Sequence, residues 1–172
     1  MAGYTSRNLV SESKAYKATA SRRAFTFSHV KIFDLSGKRD YLFRWSLWLP
    51  FGWSLKIHKI VRPDNDRCEH DHPWWFVRVI LYGGYIEQIK GKKYNRLPWR
   101  PWAFWRVYPC LPSFQHKILK LFKKYNLSLV LCGPNKGTWG FITKKGWIPW
   151  QRFLTMARKS IVLWCDDIGR IK

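Results

Sequence analysis

From Ala24 to Trp150 the chain is cut into short segments, each of strand length and each closed by turn residues. Ala24–Leu35 alternates apolar and polar residues and ends at Ser36-Gly37. Tyr41–Leu49 is aromatic-rich and ends at Pro50-Phe51-Gly52. Ser54–Val61 alternates cleanly: Leu55, Ile57 and Lys59 share one face, and Lys56, His58 and Ile60 share the other. Trp75–Tyr82 is almost continuously apolar. Gly83-Gly84 then signals a two-residue hairpin, so Tyr85–Ile89 is expected to return beside it. Lys90–Arg100 reads as a basic loop and Pro101–Tyr108 as an aromatic-rich strand; Pro109 and Pro112 exclude a central strand there. Gln115–Phe122 and Leu127–Cys132 read as a hairpin, and Trp139–Thr143 and Gly146–Trp150 flank a turn at Lys144-Lys145. Such regular short strands predict an all-β, antiparallel sandwich or barrel. Gln151–Ser160 has helical spacing, and Ile161–Trp164 reads as a last short strand.

With 172 residues the chain divides into one domain with two tails. Residues 1–23 are a flexible basic arm, residues 24–150 the barrel, and residues 151–172 a short C-terminal helix and tail. Aromatics make up 18% of the chain, with 12 Trp, which favours pleated, half-buried surfaces. Cys68, Cys110, Cys132 and Cys165 form no CxxC pair, so a cysteine zinc site is excluded and reduced thiols are expected. There is no apolar leader and no run of about 18 apolar residues, so a cytoplasmic protein without membrane contact is expected.

Two histidines, His70 and His72, stand one residue apart. On an extended backbone both side chains lie on one face, and both imidazoles can reach one metal ion. His116 lies downstream, after a Pro-rich turn, as a third candidate ligand. Asp71 points to the opposite face, suited to fixing a loop or pairing with Arg67. His58 reads as a packed histidine or as part of the same cavity.

The spacing His70-x-His72, then position 76, then Gly83 resembles the first motif of the cupin superfamily, and Pro109–Ser113 followed by His116 resembles the second. The run HDHPWWFVRVILYGGYIE is also similar to a group of small cupin-like proteins, some encoded by phages. The resemblance spans residues 40–150 and implies an antiparallel cupin (jelly-roll) barrel. It also implies a homodimer, since cupins often pair through edge strands. Two departures stand out: Phe76 occupies the place of the family's metal-binding glutamate, and Lys120 that of its final asparagine. What remains resembles the three-histidine cupins, such as the thiol dioxygenases. His70, His72 and His116 would then hold a divalent transition metal; neutral imidazoles suit Fe, Zn, Ni or Cu alike. Glu87 does not replace the lost carboxylate on this reading. Across a Gly83-Gly84 hairpin it would face Ile80, roughly 26 Å from His72 at about 3.3 Å per residue.

Arg78 shares the parity of His70 and His72 and points into the cavity, as an anchor for an anionic substrate. The net charge of +22 makes nucleic acid the first macromolecular partner to consider. Lys90, Lys92, Lys93, Arg96 and Arg100 cluster beside Tyr94, Trp99 and Trp102, the mixture that a single-stranded contact requires. Lys123 and Lys124 form a second basic turn, and the turns make one stripe if they lie at one end of the barrel. Two functions therefore compete: a three-histidine metal enzyme of dioxygenase type, and a non-catalytic basic barrel that binds nucleic acid or a nucleoprotein partner.

Overall fold

The computed structural model describes residues 25–34, 37–64, 68–103, 106–112, 114–158 and 165. The expected basic arm and the expected strand at residues 161–164 lie outside them. The described chain is mostly β, in antiparallel strands. β1 (Thr26–Phe33), β2 (Asp40–Trp48), β3 (Ser54–Ile60), β4 (Phe76–Tyr82), β7 (Val107–Cys110) and β9 (Asn126–Cys132) form a six-stranded sheet in the order β1-β2-β3-β9-β4-β7. β5 (Tyr85–Ile89), β6 (Lys92–Arg96) and β8 (Lys117–Leu121) form a three-stranded sheet in the order β6-β5-β8. β10 (Gly140–Thr143) and β11 (Gly146–Pro149) make the expected hairpin at Lys144-Lys145, and α1 (Trp150–Arg158) follows. The two larger sheets face each other. Ile32, Leu42, Ile60 and Ile80 of the first meet Tyr85 and Ile118 of the second in one buried cluster.

The all-β antiparallel architecture and the short C-terminal helix match the sequence reading. Two expected hairpins do not. Gly83 and Gly84 join β4 to β5, but the strands enter different sheets, so the corner switches layers instead of folding back. Both glycines have positive φ, +84° and +88°, and a Cβ on Gly83 would collide with the Tyr125 carbonyl oxygen. The second corner, between β8 and β9, also changes sheet. The two corners pack together: Phe122 N donates to Gly84 O at 3.0 Å, and Gly84 N to Asn126 Oδ1 at 3.3 Å. Layer switching of this kind keeps consecutive strands near in space without pairing them.

Three further expectations need correction. Part of the expected basic loop is strand β6, paired with β5 from Tyr85↔Arg96 to Ile89↔Lys92. The expected strand at Pro101–Tyr108 begins only at Val107; Pro109 sits in β7, which is an edge strand and tolerates it. Reduced thiols were expected throughout, yet Cys68 and Cys165 form a disulfide, with Cα atoms 5.1 Å apart. A separation of 97 residues leaves no local spacing signal for it. Cys110 and Cys132 are buried thiols. The disulfide joins a second core in which α1 docks: Phe153 is fully buried and stacks on Phe141 at 3.9 Å between ring centroids. No helix among the described residues is long and apolar enough to cross a membrane.

Candidate metal centre

The segment around His70 is extended and lies between the start of β8 and β10. His70 exchanges two backbone hydrogen bonds with His116, at 2.9 and 3.0 Å. Asp71 N donates to Gly140 O at 3.2 Å, and Ile142 N to Glu69 O at 2.8 Å. Side chains fasten the same segment. Asp71 accepts from Gly140 N and Trp147 Nε1 at 2.7 and 2.9 Å, so it fixes a loop as expected; Arg67 lies outside the described residues. Glu69, buried, accepts from Gln88 Nε2, Lys90 N and Gly91 N at 3.0–3.1 Å and holds the β5–β6 turn.

With the backbone fixed, period-two alternation turns His70 and His72 inward, where His116 meets them. One ligand atom from each of the three histidines lies within 4.8 Å of the others. His72 Nε2 and His116 Nε2 are 2.9 Å apart, aimed at one point. On its far side His116 Nδ1 stands 2.6 Å from Glu87 Oε1. An ionised carboxylate only accepts, so Nδ1 carries the proton and Nε2 presents its lone pair to the cluster. Burial, then the charges of neighbouring imidazoles and of Arg44 and Arg78, pushes the His72 pKa well below its ordinary value. His72 is therefore a neutral ligand at physiological pH. This donor set, three nitrogens with one tautomer fixed by a carboxylate behind it, fits a transition-metal ion.

Glu87 is where the sequence reading and the molecule part most sharply. The 26 Å separation assumed a hairpin; because the chain switches sheets at Gly83-Gly84, Glu87 lands behind His116. It touches the ligand rather than the cluster itself. It is completely buried and also binds Arg78 Nη2 and, at 2.6 Å, Arg96 Nε. Burial raises a carboxyl pKa, but Arg78 and the hydrogen bond from His116 outweigh it and hold Glu87 well below the usual carboxylate range. Glu87 shares its buried face with Tyr85, but parity alone does not say which sheet that face belongs to.

A cavity of about 120 Å³ opens beside the histidines. Trp74, Phe76, Trp139 and Phe141 form apolar wall around it, and Phe76, in the place of the family's carboxylate, packs edge-on to His72 at 5.0 Å. Arg78 lines the cavity as expected, with its guanidinium tied to Glu87. His58 lines it too, accepting from Arg44 Nε at 3.1 Å. Lys56, which the sequence reading did not single out, also lines it and is only 2% exposed.

The basic candidates lie elsewhere. Lys90, Lys92, Lys93 and Arg100 are exposed, while Arg96 turns inward to Glu87. Lys123 and Lys124 are exposed at the opposite end of β5 and β8. The register shows this, with Gln88↔Lys117 at one end and Tyr85↔Leu121 at the other. Lys90, Lys92 and Lys93 thus lie a strand's length from Lys123 and Lys124, whereas β6 carries the chain back to Arg96, which pairs with Tyr85 at the Lys123–Lys124 end.

No protein-family model matches the chain, and no curated protein does. Solved structures do. A cupin 2 conserved barrel domain protein from Rhodopseudomonas palustris is 10% identical at TM-score 0.48, with 72% of this chain and 81% of that one covered. A cupin-2 domain protein from Rhodospirillum rubrum is 10% identical at TM-score 0.47, with 80% and 89% covered. The DMSP lyase DddQ from Ruegeria pomeroyi is 13% identical at TM-score 0.47, with 66% and 60% covered, so this chain spans less than two thirds of that enzyme. All three scores fall below 0.5, and the chemistry of the site rests on its own geometry.

Proposed function

We propose that the chain is a cupin-type metal enzyme that holds iron, zinc, nickel or copper on His70, His72 and His116 and, where that metal is redox-active (as zinc is not), performs a dioxygenase-type oxidation of a small organic substrate. One observation carries the reading: three imidazoles converge, and the Nδ1 of one is held by a buried carboxylate. A metal on three protein nitrogens supplies Lewis acidity and keeps coordination positions open, which structural sites do not. The chain's own residues set the stage. Glu87 fixes the tautomer of His116, and Trp74, Phe76, Trp139 and Phe141 give the cavity an apolar wall. Elemental analysis of the purified protein tests the reading. About one metal per chain is expected, lost in His70→Ala, His72→Ala and His116→Ala while each variant stays folded by circular dichroism. Undiminished metal in all three folded variants would overturn it.

A second reading has an observation of its own. Trp102 is 74% exposed and Tyr94 42% exposed, beside exposed Lys92, Lys93 and Arg100. Exposed rings among cations favour stacking on single-stranded nucleic acid. Binding to a poly-pyrimidine strand should weaken steeply with salt; absence of binding at low salt removes this reading.

A further inference from the structure

The face of the six-stranded sheet turned away from the metal centre carries rings and cations in register. Lys31, Phe43, Lys59, Leu127 and Tyr82 form one row across β1, β2, β3, β9 and β4. His29, Trp45, Ile57, Leu129 and Val79 form a neighbouring row across the same strands. Arg44, His58 and Ser128 stand between the two rows and line the cavity, so period two turns both rows outward. Ring contacts join the rows into one ribbon. His29 stacks on Trp45 with centroids 5.1 Å apart, and Trp45 on Phe43 at 6.5 Å. Lys59 Nζ comes next, 5.9 Å from the Phe43 centroid and 5.0 Å from that of Tyr125, where ring faces favour a cation. Tyr125 then packs against Tyr82 at 4.8 Å. The ribbon stays in reach of water: His29 is exposed, Tyr82 is 44% exposed, and Trp45, Phe43, Lys59 and Tyr125 are half-buried. The turn that holds Tyr125 adds exposed Lys123 and Lys124. Asp40 is the one acidic residue in these five strands, and it pairs with Lys31 at 2.9 Å.

We propose that this outer face docks single-stranded nucleic acid, its bases packing on the ribbon from His29 to Tyr82 and its phosphates drawn to Lys59, Lys123 and Lys124. A single strand alternates planar bases with anionic phosphates. The ribbon offers the matching pair of groups on one surface, rings for the bases and ammonium groups for the phosphates. In a duplex the bases stack on one another and have no free face for a ring. An anionic bilayer calls for apolar side chains that project past the cations, whereas Lys59 lies between the rings it contacts. Lys31 supplies nothing to the proposal, since Asp40 holds it. The surface is distinct from that of Tyr94, which lies in β6 of the other sheet, and it does not depend on the metal reading.

The test titrates the full chain into a short fluorescein-labelled oligouridylate and reads fluorescence anisotropy. Saturable binding is expected at low salt, weakening steeply as salt rises. Tyr82→Ala is expected to weaken single-strand binding at least about fivefold, the low end of what one stacked base contributes, and to leave binding of an RNA duplex as it is. Joint substitution of Lys123→Gln and Lys124→Gln is expected to flatten the dependence of affinity on salt. Both lysines are exposed, so this second variant keeps the test open should Tyr82→Ala fail to fold. Trp102→Ala, run in parallel, reports on the surface around β6. Phosphatidylserine vesicles serve as the lipid probe. No saturable single-strand binding at low salt overturns the proposal, as does binding to the vesicles alone. Wild-type single-strand affinity and salt dependence in the folded outer-face variants also overturn it, and a loss confined to Trp102→Ala then assigns the binding to the β6 surface.

Discussion

The two faces of the six-stranded sheet depart, beside the cavity, from the usual arrangement of a globular protein. An antiparallel sheet with one covered face ordinarily puts apolar residues inside and polar ones outside. Here the inner face carries Arg44, Lys56, His58 and Arg78 in adjoining rows, whereas the outer face places Trp45, Ile57, Leu129 and Val79 in register across four strands. Part of that outer face is open to solvent, with Leu47 38% and Ile57 40% exposed. Burying cations costs free energy unless each is held by a partner or a ring. The inner face accepts that cost around a cavity that also holds three convergent histidines, which is where chemistry would need the charge. The contrast predicts that inner-face changes alter metal binding, stability or pH response, and that outer-face changes leave all three alone.

The largest effect is expected at Glu87, the one carboxylate that joins the inner face to the metal centre. Glu87→Gln keeps the shape but removes the charge that balances Arg78, whose side chain is 5% exposed. Breaking a buried pair by removing one partner typically costs about 3–5 kcal/mol. The same change weakens the hold on His116 Nδ1, and losses of carboxylates behind metal-binding histidines cost about 10–100-fold in metal affinity. Urea denaturation of the metal-free protein and metal titration of the folded variant measure the two losses separately. If neither changes, Glu87 does not couple the faces.

A smaller, pH-dependent effect is expected at His58. Its folded-state pKa lies well below the ordinary imidazole value of about 6.5, from burial first and then from Arg44 and Lys56. Below about pH 6.5 the unfolded chain takes up a proton at this position that the folded chain refuses, so stability falls as pH falls towards the folded-state pKa. Above about pH 6.5 both states are neutral and the group contributes no slope. One proton of difference is worth about 1.4 kcal/mol per pH unit. His58→Gln should remove that share of the slope from denaturation midpoints measured on the metal-free protein between pH 7 and 5. An unchanged slope would mean that the inner face is better hydrated than its burial suggests.

These inner-face groups were unevenly legible in the sequence. His70 and His72 could be found because ligand spacing on an extended segment is a local property, as is the alternation that put Lys56 and His58 on one face of β3; His116 was found by its place after a Pro-rich turn, which resembles the second cupin motif. Glu87 could not be placed, because its position depends on whether Gly83-Gly84 folds the chain back or passes it to the other sheet. Two glycines permit positive φ in either case, and only the packing of one corner on the other decides it. The Cys68–Cys165 disulfide was hidden for a similar reason, since nothing near either cysteine reports on a partner 97 residues away. The burial of Lys56 was hidden by its type, because a lysine in an alternating strand ordinarily marks the solvent face.

The smallest effect is expected one residue from Lys56 on the same strand. Ile57 points outward, 40% exposed, between Trp45 and Leu129 in the register. Ile57→Thr keeps a β-branched side chain, and with it the strand preference, while replacing exposed apolar surface by a hydroxyl that water can reach. Substitutions at such surface positions usually stay within about 0.5 kcal/mol. Metal content and the urea midpoint should match the wild-type chain. Lys56→Met, its immediate neighbour, removes a buried ammonium packed against the Trp48 ring and is expected to shift the urea midpoint while metal content holds. Because the two positions share a strand and differ in face, the pair separates charge held at the cavity from any general response of β3 to substitution. A shifted midpoint or lost metal in Ile57→Thr would show that the two faces are not independent and that β3 responds as a unit.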